Sequence, residues 1–164
     1  MRFVLFNVLI ALCCVVITQS GCDMKPSQTA DQSAPSTTAE GLWLTDYATA
    51  QEISRRERKP LFLLFTGTDW CPWCVRLEKE ALSAPEFAAW AKDNLVLLKL
   101  DFLQFSPQPQ KLINQNSALR QKYNIEAFPT VLITTSDGEI IAQTGYQEGG
   151  GASYVAHLKT LLGK

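Results

Sequence analysis

The 164-residue sequence predicts an α/β domain in which a central mixed β-sheet is flanked by helices. Three observations carry that prediction. Leu61-Phe62-Leu63-Leu64-Phe65 and Leu95-Val96-Leu97-Leu98-Lys99-Leu100 have the length and composition of strands buried on both faces. Helical segments lie before, between and after these two runs. The chain then closes with a turn signal, Ser136-Asp137-Gly138, between two extended runs, followed by one last helix.

The N-terminal segment comes before that domain. Arg2 is followed by an apolar stretch from Phe3 to Ile17, broken only by Asn7, and the small residues Ser20 and Gly21 precede Cys22. This is the layout of an export signal. It resembles a bacterial lipoprotein signal, in which the cysteine, here Cys22, is lipid-modified and becomes the mature N-terminus. The departure is Gln19, where that signal usually carries an aliphatic residue. Two other readings stay open: an ordinary cleaved signal, and an uncleaved anchor, although about 17 residues span only about 25 Å as a helix. All three place the domain outside the cytoplasm, in the periplasm or cell envelope. Asp23 resembles the residue that retains some lipoproteins on an inner membrane. Residues 23–41 are rich in Ser, Thr, Ala and Pro, with no large apolar residue except Met24. Such a segment cannot offset its ordering entropy, and reads as a flexible tether with a reach of roughly 25 Å.

The folded domain is expected over residues 42–164. Thr45 or Asp46 caps a helix to about Arg58, with Tyr47, Ala50 and Ile53 on one side, and Pro60 ends it. After the first strand comes Trp70-Cys71-Pro72-Trp73-Cys74, then Val75 to Leu82 with no Gly or Pro. Ser83-Ala84-Pro85-Glu86 has the spacing of a capping box, which opens a second helical piece through Phe87 and Trp90. The second strand leads into a loop from Phe102 to Gln110 and a short helix from Ser117 to Tyr123. Val131 to Thr134 and Glu139 to Gln143 form the hairpin. The last helix carries Tyr154, Leu158, Leu161 and Leu162 on one stripe and stops at Gly163.

Composition excludes several functions. The net charge is -1, and the densest basic stretch, Arg55-Arg56-Glu57-Arg58-Lys59, reads as a solvated helix end, so nucleic acid is not a partner. Of five cysteines, Cys13, Cys14 and Cys22 belong to the N-terminal segment, which leaves Cys71 and Cys74 for the domain. A zinc site normally needs two further ligands, and the sole histidine, His157, lies far along the chain, so neither metal nor cofactor is expected.

The C-x-x-C is where the chemistry concentrates. It puts Cys71 at or beside a helix N-cap and Pro72 at the first helical position, where a missing N–H costs nothing. Unpaired backbone N–H groups and the positive end of the helix dipole favour thiolate there. Lowering a thiol pKa from about 8.5 to about 7 takes roughly 2 kcal/mol of preferential thiolate stabilisation. The alternative, a static staple, closes too small a loop to constrain the unfolded chain much.

Asp69-Trp70-Cys71-x-x-Cys74, Leu77-Glu78-Lys79-Glu80, Ser83-x-Pro85-Glu86 and Phe128-Pro129-Thr130 together resemble the thioredoxin family. The likeness is nearest to the soluble C-terminal domain of the membrane thiol:disulfide interchange proteins, and covers residues 42–164. It implies a thioredoxin fold and a cis bond at Pro129. It also implies a mechanism in which an exposed Cys71 attacks a substrate disulfide and Cys74 resolves the mixed disulfide. Trp73, Phe128 and Pro129 then become substrate-binding residues, with Trp70 and Tyr146 as further candidates for an apolar patch. Thioredoxins carry a buried carboxylate six positions before the first cysteine, where this chain has Phe65. The candidate proton acceptors are therefore Asp69 and Asp101; Lys99 resembles the family's strand lysine, and His157 reads as structural. The expected activity is thiol–disulfide exchange with protein substrates and a redox partner protein, as reductant or relay, by a membrane-tethered monomer. A binding module for an envelope protein, with an incidental or regulatory dithiol, is the alternative, and a disulfide-linked structural lipoprotein is a third.

Overall fold

The computed structural model describes residues 39–164. The expected signal, the expected lipidation site Cys22 and the expected tether up to residue 38 lie outside the described residues. No helix among the described residues is long and apolar enough to cross a membrane.

A 3-10 turn at Ala39–Leu42 leads into β1 (Trp43–Leu44) and α1 (Tyr47–Glu57). Asp46 caps α1 by accepting the Thr49 N–H, and the helix closes at Arg58 in the left-handed conformation. β2 (Leu61–Thr66) is followed by α2 (Pro72–Leu77), a π-helical segment (Glu78–Leu82) and α3 (Pro85–Asn94). The second half runs β3 (Val96–Asp101), α4 (Gln110–Lys122), β4 (Thr130–Thr134), β5 (Ile140–Thr144) and α5 (Gly150–Leu161).

The sheet order is β1-β3-β2-β4-β5. β3 lies parallel to both β1 and β2, and β4 and β5 run antiparallel, which makes the sheet mixed. Side chains alternate across it. Phe62 and Leu64 of β2 join Leu77, Phe87 and Tyr154 on the face covered by α2, α3 and α5. Leu61, Leu63 and Phe65 join Ala50 and Leu119 on the face covered by α1 and α4. Burying Phe62 and Phe87 completely contributes about 1.5–3 kcal/mol each. This sheet puts the end of β2, and so the C-x-x-C, at its centre.

Three local expectations are corrected. β1 was not anticipated; its two residues pair with Leu97 and Leu98 and have no pattern of their own. The capping box does not form, because α3 starts from Ala84 without a side-chain cap, while the Ser83 N–H closes the π segment on Glu78 O. α4 begins at Gln110, seven residues before the expected start, because its first turns are polar and show no apolar stripe.

Candidate active site

β2 ends in a tight turn that sets up the helix tip. Gly67 O accepts the Cys71 N–H at 2.8 Å and the Trp70 N–H at 3.3 Å. A side chain at Gly67 would run into the Trp70 indole, so the close approach requires glycine. Cys71 is the N-cap of α2 in extended conformation, with Pro72 in the first turn. Its Sγ accepts the Cys74 N–H at 3.3 Å. The helix start thus aims a donor at this sulfur. Cys71 and Cys74 form a disulfide with their Cα atoms 5.2 Å apart.

Cys71 is only 5% exposed and Cys74 1%. The open sulfur expected at the helix tip is therefore not seen in this disulfide form. Phe128 O lies 3.8 Å from Cys71 Sγ.

One aromatic wall is formed by Trp70, Phe128 and Phe102, with ring centroids 5.6 Å (Trp70 to Phe128) and 5.1 Å (Phe102 to Phe128) apart. Trp70 Nε1–H donates to Phe102 O at 2.6 Å, and the Phe102 N–H donates to Thr66 O at 2.8 Å. The Arg120 guanidinium lies 5.3 Å over the Phe128 ring. Behind this wall is a cavity of about 460 Å³, which Phe102, Asn116 and Arg120 help to line.

The second wall is Trp73, 51% exposed, against Tyr146 at 5.3 Å. The Arg76 guanidinium sits 5.3 Å from the Trp73 ring and 5.0 Å from the Tyr146 ring. Glu80 ties the group together by accepting Arg76 Nε–H at 2.7 Å and Tyr146 O–H at 2.5 Å.

The Phe128–Pro129 peptide bond is cis. Pro129 O closely faces Gly145, where a side chain would stand 3.1 Å from it. Tyr154 O–H donates to Gly145 O from the core. The loop after β5 is thus packed beside Pro129.

The two candidate acids tie the loop after β2 to the end of β3 and to the loop that follows it. Asp101 accepts the Thr68 N–H at 3.0 Å and the Thr68 O–H at 2.5 Å. Asp69 accepts three successive backbone N–H groups, from Gln104, Phe105 and Ser106, at 3.0, 2.8 and 2.9 Å. Desolvation pushes the Asp69 carboxyl up, but these bonds outweigh it and hold the group below the usual carboxylate range. His157 Nε2 bonds Thr144 Oγ1 at 2.8 Å, a contact between α5 and β5.

Lys99 pairs with Glu78 at 2.5 Å, and its ammonium lies 5.7 Å over the Trp43 ring. Sequence reasoning passed over Glu78. The available signal was its place four residues after Cys74, on the helix that faces Lys99. The Arg76–Glu80 spacing was equally legible, but their partner Tyr146 lies 66 positions from Glu80 and no local pattern marks it.

A family model for the thioredoxin-like domain matches residues 47–158. The disulfide bond reductase DsbH of Chlamydia pneumoniae is 32% identical over 152 residues, which cover 91% of each chain. A solved DsbH oxidoreductase superposes with a TM-score of 0.70 at 36% identity, covering 73% of this chain and 83% of that one. The reduced C-terminal domain of Neisseria meningitidis DsbD, 21% identical, shares the fold with a TM-score of 0.50 over 72% of this chain and 97% of its own. The chain belongs to the thioredoxin-like family, and the closed Cys71–Cys74 pair at the start of α2 makes it a protein-disulfide oxidoreductase.

Proposed function

We propose that the protein is an exported disulfide reductase or relay, held at the membrane by lipid on Cys22 and acting as a monomer on protein substrates. The observation that carries the exchange chemistry is the Cys74 N–H aimed at Cys71 Sγ at the start of α2. It favours thiolate at Cys71 once the pair is reduced. The name of DsbH supports the reducing direction, and the N-terminal segment supports export.

In this reading a substrate segment lies along Phe128 and Pro129 and against Trp73, pairing with the Phe128 carbonyl as an added strand would. The Cys71 thiolate attacks one substrate sulfur, the substrate S–S bond breaks, and the other substrate sulfur leaves as a thiolate that takes a proton from water. Cys74 loses its proton and attacks Cys71 Sγ, releasing the second substrate thiolate. Two electrons have passed to the substrate, and the protein is left with the Cys71–Cys74 disulfide. A dithiol redox partner restores it by the reverse steps. Asp69 and Asp101 are the candidate acceptors of the Cys74 proton; their carboxylates also accept bonds from Thr68 and from residues 104–106.

Insulin reduction by the purified full-length chain tests this. Cys71→Ser is expected to abolish turnover, and Cys74→Ala to trap a mixed disulfide on Cys71. Full activity in Cys71→Ser overturns the assignment. A measured reduction potential sets the direction of exchange.

A further inference from the structure

We propose that the loop between β3 and α4 is a second contact surface for protein partners, with Phe105 as its anchor. This rests on the disulfide-exchange reading of the preceding section. Phe105 is 79% exposed, more than any other large apolar side chain among the described residues. An aromatic side chain left that open on a loose loop would mean little. This loop is held fast.

The Asp69 carboxylate takes the N–H of Phe105 itself at 2.8 Å and those of its two neighbours. On one side the Phe102 N–H is bonded to Thr66 O and its carbonyl to Trp70 Nε1. On the other, Gln108 Nε2 reaches Asp101 O at 3.2 Å, and Pro107 and Pro109 stiffen the chain. The backbone carrying Phe105 is therefore ordered before any partner arrives, which removes a main cost of binding. Rigid aromatic anchors of this kind dominate the energetics of protein contacts.

The occupant is a protein that brings a disulfide or dithiol to Cys71. The surface is continuous with the exchange site, because Asp69 lies two residues before Cys71 and Phe102 packs at a tilt against Phe128, whose carbonyl lies 3.8 Å from Cys71 Sγ. Phe105 gives such a partner a foothold away from the reacting sulfurs, which a small disulfide cannot use. A lipid surface fits less well: residues 102–109 contain no Lys or Arg, and the nearest fixed charge is the Asp69 carboxylate.

The test compares insulin with the small disulfide 5,5′-dithiobis(2-nitrobenzoate), using the full-length chain, Phe105→Ala, Phe105→Trp and, as a control, Ile140→Ala on the exposed edge of β5. Phe105→Ala is expected to raise KM for insulin roughly five- to tenfold with kcat little changed and the small disulfide unaffected. Phe105→Trp and Ile140→Ala should behave as wild type. Unchanged insulin kinetics in Phe105→Ala, or equal losses on both disulfides, overturns the proposal. So does a Phe105→Ala chain that loses binding to phosphatidylglycerol vesicles while reducing insulin normally, which assigns the side chain to the bilayer. A wild-type chain inactive on both disulfides sinks the reductase reading itself, and this surface with it.

Discussion

The two aromatic walls beside Cys71 are fastened by different means. Trp70 is held to backbone: its Nε1–H meets Phe102 O, its ring rests on Gly67, and Asp69 before it accepts backbone N–H groups of the loop after β3. Trp73 is held by side chains alone, through Tyr146, Arg76 and Glu80. Bonds to backbone are fixed by the fold, whereas exposed side-chain ion pairs are offset by rotamer entropy and screened by salt. With Cys71 only 5% exposed, the side-chain wall is the one that yields at small cost. One wall is fastened by the fold, and the other can move at smaller cost.

The largest test attacks the fixed wall. Gly67→Ala forces a methyl group into the Trp70 indole and is expected to cost about 1–3 kcal/mol, read from the urea midpoint at constant m. Wild-type stability in that variant would mean that Trp70 is not wedged in place. A smaller effect is expected at the other wall. Glu80→Ala should leave the urea midpoint unchanged while the reduced chain is alkylated by iodoacetamide about twofold faster at Cys71. Equal alkylation rates would erase the distinction between the walls.

The smallest effect is with pH. The Tyr146 hydroxyl, and after it Arg76, hold the Glu80 carboxyl below its usual 4.5. A depressed folded pKa means that the clasp contributes fully above 4.5 and fades as pH falls through the lower folded value. At the alkaline end, the bond to Glu80 raises the Tyr146 phenol above 10, so its contribution is full below 10 and is lost as pH rises through the raised value. Fluorescence titration of wild type against Trp73→Phe should show Trp73 responding at both ends, and a flat difference would separate Trp73 from the clasp.

Much of this site was legible because its causes are local. Cys71 at the N-cap and Pro72 behind it follow from five adjacent residues, and the burial of β2 and β3 follows from two apolar runs. What escaped depends on distance or on weak pattern. The three N–H groups held by Asp69 come from residues 35 to 37 positions later, and nothing in Asp69-Trp70-Cys71 announces them. Asp69 reads as a candidate proton acceptor because a carboxylate beside a thiol suggests one; the loop that it also holds has no local signal. The start of α4 was obscured because Gln110-Lys111-Leu112-Ile113-Asn114-Gln115-Asn116 spreads its polar residues round the helix, while Asn116 is buried through a bond to Asp101 O.

β1 has a mechanical consequence. The chain enters the sheet at its margin, through a two-residue strand whose Trp43 is wedged against Phe62 and Phe87. Any pull exerted through the preceding residues is borne first by the Trp43–Leu97 and Leu44–Leu98 pairings. β2, two places further in, is paired on both sides, with β3 and β4, so the strand that leads to Cys71 keeps its neighbours if β1 peels away.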